Sequence, residues 1–193
     1  MMDEQSQNDT ITRDYAEQLR KEHDGSKWGT TGFRYSGESV KAVLESRPYI
    51  QTALDFGCGK GELSKGFPQL EWSEYDPGIP GKDTIPSGQF DLVTCTDVLE
   101  HVEPHLIDNV IQTLAAKTGK VLFLDIACYP TGKTFGEGPY IGQDLHILIK
   151  EPAEWRKYIE GLDLGLHLAS FEAVTKFSKG AYKDRAIMTY ERV

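Results

Sequence analysis

Ala53-Leu54-Asp55-Phe56-Gly57-Cys58-Gly59-Lys60-Gly61-Glu62-Leu63 is a short apolar run that breaks into glycines at alternate positions. The run predicts a buried strand, and the glycines predict a tight turn into a helix, with main chain free to take positive φ. Lacking Cβ atoms at Gly57, Gly59 and Gly61, the turn is expected to leave backbone N–H groups uncovered, so that an adenosyl ligand can lie against it. A dinucleotide turn carries G-x-G-x-x-G, its third glycine letting strand and helix approach beside a pyrophosphate. Here the pattern is G-x-G-x-G, and Glu62 follows at once, where its carboxylate would repel a diphosphate. An ordinary strand-to-helix turn is the alternative reading.

On the carboxyl side the pattern alternates strand and helix. A strand over 52–56 leads to a short helix ended by Pro68, then a parallel strand over 70–75. Residues 76–89 leave no room for a full helix and strand before the next apolar run, 90–95, so the unit usual there is shortened or lost. A helix is predicted over 104–117, with Pro104 in its first turn and Gly119 as its stop. The near-continuous apolar run 120–127 predicts a buried strand. A glycine-rich loop over 129–142 is followed by a helix over 152–162, and 166–174 and 185–191 form a closing antiparallel pair joined across Gly180. On the amino side, 1–11 is polar and expected to be disordered. A helix follows over 12–23, then an aromatic loop over 27–35 and a second helix over 37–47. The expected molecule is a single α/β domain over 1–193, with an amino-terminal helical cap (12–47) and a core (52–193).

The stretch from Asp55 to Leu63 resembles motif I of class I S-adenosylmethionine-dependent methyltransferases, where an acidic residue two before the first glycine ends the first strand. The resemblance implies a three-layer Rossmann-like sheet, mostly parallel with an antiparallel carboxyl-terminal strand, here with its third-strand region reduced. It implies S-adenosyl-L-methionine as cofactor, with Asp55, Phe56, Gly57, Cys58, Gly59 and Gly61 around it. Asp76 stands at the end of the second strand, where a carboxylate can accept hydrogen bonds from both ribose hydroxyls, and Pro77 can pack against the adenine. Thr94 to Glu103 resembles the D-V-L-E-H-V segment of small-molecule methyltransferases. It lies at the sheet's topological switch point, so carbonyls near Thr96 can meet the methionine ammonium while Asp97 faces cofactor or substrate.

Two histidines and three aromatic residues carry further expectations. His101, beside Glu100, is either a structural residue or a proton-transfer group. His146 sits among Leu145, Ile147 and Ile149 with its ring expected to face away from them, either as an ordinary partly buried histidine or as a base or substrate contact that Tyr140 and Asp144 can tune. His146 is the first candidate base, His101 or Asp97 the second. Trp28, Phe33 and Tyr35 are read either as closing over the sulfonium or as ordinary packing aromatics of a loop, with Lys27 or Arg34 as candidate partners of the methionine carboxylate. Asp83 is either an adenine contact or a surface carboxylate.

The composition bounds the partners. With 39% hydrophobic and 26% charged residues, the 193-residue chain has the make-up of a globular domain with one core. A net charge of −9 repels polyanions, and no basic run interleaved with aromatics offsets it, so long nucleic acid is not an expected substrate. No apolar run suits a membrane span or a signal peptide, and a cytoplasmic protein is expected. Three widely spaced cysteines form neither a disulfide framework nor a C-x-x-C zinc pattern, and no metal site is read here. Oligomeric state is left open.

Residues 27–46, 53–63, 75–81, 94–115 and 142–155 together resemble compact stand-alone methyltransferases of bacteria and their phages. That group carries a Gly-Arg-Asn-Ala-His segment where this chain has Gly142-Gln143-Asp144-Leu145-His146, and paired tryptophans where Trp155 precedes Arg156. The implied activity is methyl transfer to an oxygen or nitrogen of a small-molecule acceptor. A cofactor-binding regulatory or partner module without transfer, and another reaction such as cleavage or decarboxylation of the same cofactor, are the rival readings.

Overall fold

A computed structural model describes residues 10–24, 29–178 and 180–192. Its centre is a six-stranded sheet in the order β2-β1-β3-β4-β6-β5. The strands are β1 (Thr52–Phe56), β2 (Glu71–Tyr75), β3 (Phe90–Thr96), β4 (Thr118–Ala127), β5 (Leu166–Ser178) and β6 (Ala181–Arg192). The first four are parallel; β6 runs antiparallel to β4, and β5 antiparallel to β6. No element forms between β2 and β3, so the sheet ends at β2, matching the predicted loss of the third strand. The chain leaves β1 toward β2 and returns on the other side of β1 to build β3. This reversal opens a crevice at the carboxyl ends of β1 and β3, the place where open α/β sheets take ligands.

Strand alternation sends side chains to two helical layers. Leu54, Val93, Leu122 and Leu124 pack against helices α4 (Ile107–Lys117) and α5 (Pro152–Glu160), with Trp155 and Ile159 fully buried. Ala53, Leu92, Val121 and Phe123 pack against α2 (Gly32–Ser46) and the short α3 (Glu62–Gly66). A satellite cluster of Tyr15, Phe135 and Leu145 joins α1 (Arg13–His23) to the glycine-rich loop. Among the described residues no helix is long and apolar enough to cross a membrane.

Four expectations shift. Helix α2 begins at Gly32, not Gly37, so Phe33 and Tyr35 lie on a helix and not in an aromatic loop. Nothing caps it locally: Thr31 makes no side-chain cap bond, and the helix is fixed instead by Val40 in the core and by Ser36 Oγ donating to Asp125 Oδ2 at 2.7 Å. Helix α4 starts at Ile107 and not Pro104, after a single 3₁₀ turn at Leu99–His101. Gly119 is no helix stop but the second residue of β4. The expected disorder of 1–11 falls outside the described residues except at Thr10 and Ile11, and Thr10 is buried, its hydroxyl 3.4 Å from that of Tyr75.

Candidate active site

The turn after β1 takes the conformation its glycines allow: φ is +79° at Gly57, +53° at Gly59 and +74° at Gly61. Close approach also forbids side chains. A Cβ at Gly57 would lie 2.2 Å from Val98 Cγ2, and one at Gly59 would lie 2.5 Å from the Gly29 carbonyl oxygen. The N–H groups, however, are not uncovered. Gly57 and Cys58 donate to the Tyr75 carbonyl, Gly59 to Asp76 Oδ2, Lys60 to the Gly29 carbonyl and Gly61 to the Cys58 carbonyl. The turn spends its amides on the second strand's end and on the segment before α2, so no fan of donors remains for a phosphate. What it presents to a ligand is main chain bare of side chains at Gly57 and Gly59.

That surface forms one wall of a cavity of about 410 Å³. Asp55, Phe56, Gly57, Cys58 and Gly59 line it from β1, Asp76 and Pro77 from the end of β2, and Thr96 and Asp97 from β3. Gly61 does not line it; its role lies in the turn, where a Cβ would meet Glu74 Oε1 at 2.4 Å. Trp28 and Lys27 lie outside the described residues. Tyr35 reaches the cavity, whereas Phe33 does not line it and meets Phe67 edge-on, and Arg34 is exposed. Asp83 stays outside the cavity, accepting from Arg20 Nη2 at 2.7 Å.

Asp76 is buried, and each of its oxygens already holds a backbone amide: Oδ2 that of Gly59 and Oδ1 that of Gly78, both at 2.9 Å. His23 Nε2 lies 3.5 Å from Oδ1, bringing the end of α1 down over the same wall. Each carboxylate oxygen has a second lone pair, which leaves capacity for a diol. Asp55 accepts from the Thr94 hydroxyl at 3.0 Å. Burial, chiefly, and the charges of Glu74 and Asp76 raise its carboxyl to about 7.

Asp97 closes the far side. It sits at φ +54° with its amide on the Asp125 carbonyl, and its Oδ1 accepts from Arg185 Nη2 at 2.6 Å. Arg185 Nε donates to Asp125 Oδ1 at 2.7 Å, so one buried guanidinium bridges two carboxylates. Burial works against the charge of Arg185, but Asp97 and Asp125 more than offset it and raise the group above its ordinary value. Arg185 and Asp125 were not singled out from sequence. The available signal was an acidic residue inside the apolar run 121–127, which a strand buried on both faces admits only with a partner.

His101 and His146 both line the cavity, with ring centroids 4.8 Å apart and planes at 78°. His101 Nδ1 donates to the Leu145 carbonyl at 2.7 Å and His146 Nδ1 to that of Tyr129 at 2.6 Å. A carbonyl can only accept, so each neutral ring carries its lone pair on Nε2. Burial lowers both rings, His101 to about 4 with help from His146. Of the two expected tuning partners, Asp144 takes the backbone amide of His146 on Oδ1 and its charge raises the ring against the effect of burial, whereas Tyr140 donates to Glu103 Oε1. Glu103, buried, also takes the amide and hydroxyl of Thr12 at 2.7 and 2.8 Å, and Tyr15 donates to the His101 carbonyl. The start of α1 is thereby pinned across the cavity's mouth.

Comparison with known proteins agrees with this geometry. A family model described as a methyltransferase domain matches residues 28–166. The mitochondrial ubiquinone biosynthesis O-methyltransferase of Saccharomyces cerevisiae is 31% identical over 93 residues, covering 34% of this chain and 30% of that protein. The chain spans at most 60% of the length of the curated relatives it matches. Among solved structures, Burkholderia thailandensis 1,6-didemethyltoxoflavin-N1-methyltransferase, with S-adenosylhomocysteine bound, superposes with a TM-score of 0.64 at 17% identity over 93% of this chain and 89% of that one. Magnesium protoporphyrin IX methyltransferase from Synechocystis PCC 6803 gives 0.57 at 20% identity, over 94% and 98%.

Proposed function

Since the chain belongs to the methyltransferase domain family, we propose that it transfers a methyl group from S-adenosyl-L-methionine to an oxygen or nitrogen of a small-molecule acceptor. The observation that carries this reading is the paired glycine turn beside a cavity walled by two carboxylates. A pyrophosphate finds the amides of the turn already taken, while a nucleoside with a charged amino-acid tail meets the backbone at Gly57 and Gly59, Asp76 for its diol and Asp55 for its ammonium. The rival modules without transfer find less support, because the cavity continues past the turn to Asp97, His101 and His146, where an acceptor can stand.

The chemistry asked of the protein is modest. The sulfonium is already an activated donor, so alignment of the acceptor in line with the breaking C–S bond supplies most of the rate, up to roughly 7 to 11 kcal/mol of barrier. Asp55 and Asp76 engage the two ends of the cofactor and leave the sulfonium uncompensated, which avoids stabilising the ground state as its charge disperses. His146, with His101 behind it, offers Nε2 lone pairs to the acceptor's proton. The net charge of −9 and the lack of a basic run interleaved with aromatics in the sequence favour a small acceptor over long nucleic acid.

Incubation with methyl-labelled cofactor and a metabolite extract tests it. Label appearing in a small molecule together with S-adenosylhomocysteine supports transfer. Cofactor bound but never consumed overturns it in favour of a binding module, and consumption without any acceptor overturns it in favour of cleavage.

A further inference from the structure

We propose that Glu100, His101 and His146 form a site for one divalent first-row transition ion at the acceptor end of the cavity. One ligand atom from each lies within 4.8 Å of the others. The second observation is the carboxyl itself. Glu100 is fully buried; its Oε1 accepts the Ala127 amide at 3.1 Å, and its Oε2, also buried, has no hydrogen-bond partner among the described residues. A buried carboxyl oxygen without a donor costs free energy that a native core seldom leaves uncompensated. An ion beside Oε2 removes that cost.

The surroundings meet the demands of such an ion. Ligating imidazoles donate their other nitrogen to a carbonyl, which fixes the tautomer and aims the ring. Both rings do so here, to Leu145 and Tyr129. The Leu148 amide donates to the Glu100 carbonyl at 3.0 Å, tying the loop that carries His146 to the 3₁₀ turn that carries the other two. Two imidazoles and one carboxylate suit zinc, manganese, iron or cobalt better than magnesium or calcium, which prefer oxygen. Ligand atoms on such an ion stand roughly 3 to 4 Å apart, so loading draws the three groups together by at most about 2 Å. Arg185 is the nearby like charge, and it is matched by Asp97 and Asp125.

Both histidines line the cavity, while Glu100 stands behind them, so the ion's remaining positions face the acceptor. Resting on the methyl-transfer reading, this selects oxygen as the acceptor atom. A hydroxyl bound to the ion gives up its proton to water. An oxygen electron pair then forms the C–O bond as the C–S bond breaks, and its electrons leave on the sulfur of S-adenosylhomocysteine. In the loaded chain the ion, and not the imidazole of His146, makes the acceptor nucleophilic.

The test uses the full chain, stripped with chelator and titrated with Zn²⁺ by calorimetry and with Co²⁺ by visible absorption. One equivalent is expected to bind, with Co²⁺ bands of a nitrogen and oxygen site. Glu100→Gln, which keeps size and shape, and His146→Ala are each expected to weaken binding at least ~100-fold, the upper end of what loss of an outer-shell partner costs. S-adenosylhomocysteine binding and thermal unfolding, measured on the same samples, show that the variants fold. Absence of stoichiometric binding in the parent chain, or binding that survives both substitutions, overturns the site. Cofactor binding without metal binding sinks this inference and leaves the methyl-transfer reading; metal binding without cofactor binding does the reverse.

Discussion

Gly59 donates its backbone N–H to Asp76 Oδ2 at 2.9 Å, so the turn after β1 and the carboxylate after β2 are parts of one hydrogen-bonded unit. Asp76 therefore has two duties, holding the turn and holding a ligand. Asp76→Ala is expected to lower S-adenosylmethionine affinity by about 1.5–3 kcal/mol, the worth of hydrogen bonds to a charged group, and also to lower the melting temperature of the cofactor-free chain. Calorimetry and thermal denaturation measure the two. Lost affinity with an unchanged melting temperature would mean that the Gly59 bond contributes nothing to the turn.

Gly57 makes a steric prediction. Alanine there combines positive φ, costing roughly 1–2 kcal/mol, with a Cβ driven into Val98, where overpacking costs about 1–3 kcal/mol. Gly57→Ala should destabilise by about 3 kcal/mol in urea titration. Adding Val98→Ala should return the overpacking part only, because the backbone strain is untouched. A double variant no better than the single one would place the whole cost in φ.

Asp55 ties stability to pH. Its folded-state carboxyl is raised from 3.8 to about 7, so between these values the folded chain holds a proton that the unfolded chain has shed. Stability from this group is full below about pH 4 and is lost as pH rises toward 7. Asp55→Asn keeps an acceptor for Thr94 and cannot titrate. Denaturant titrations near pH 4.5 and pH 8 should show the parent chain losing, relative to the variant, on the order of a few kcal/mol at the higher pH. Parallel curves would mean that Asp55 is ionised in the folded chain throughout.

These residues differ in how far sequence could reveal them. The turn from Asp55 to Gly61 is local, its glycines imposing their conformation within one decade of chain, and β1 falls where its apolar run places it. Helix α5 is equally legible, with Pro152 in its first turn and a Glu151–Glu154 capping box. Helix α2 is not, because no cap marks its start and its order comes from Asp125, distant in sequence. The amide pairing of the turn was missed for the same reason: Gly29 and Tyr75 reach it only once α2 and β2 are in place. Arg185 joins Asp97 through the β4–β6 register, which sets Arg185 opposite Ala127. No local pattern encodes that register.

His146 separates binding from transfer. Its ring lines the cavity and contacts Tyr129 and His101, with no hydrogen bond to the glycine turn among the described residues, so His146→Ala should leave S-adenosylhomocysteine affinity unchanged while turnover falls by roughly 10²–10⁴-fold. Normal turnover would remove His146 from proton handling and from any ion that replaces it in that role.

Arg185 gives the largest expected loss. Its guanidinium bridges half-buried Asp97 and buried Asp125, and Arg185→Met leaves the Asp125 carboxylate in the interior without its counter-charge, a change worth about 3–5 kcal/mol. The sign of the pH dependence follows. Burial already raises the Asp125 carboxyl, and without the guanidinium it holds its proton more tightly still in the folded chain, so the deficit should shrink as pH falls and grow as pH rises through that raised value. Adding Asp125→Asn removes one of the stranded charges and should recover part of the loss at neutral pH while changing little in acid. Asp97 keeps its strained φ only while something holds it. Turnover at saturating cofactor should therefore fall in Arg185→Met even at an acidic pH where the fold is restored. A deficit below about 1 kcal/mol that ignores pH would mean that solvent reaches the carboxylates and the bridge is dispensable.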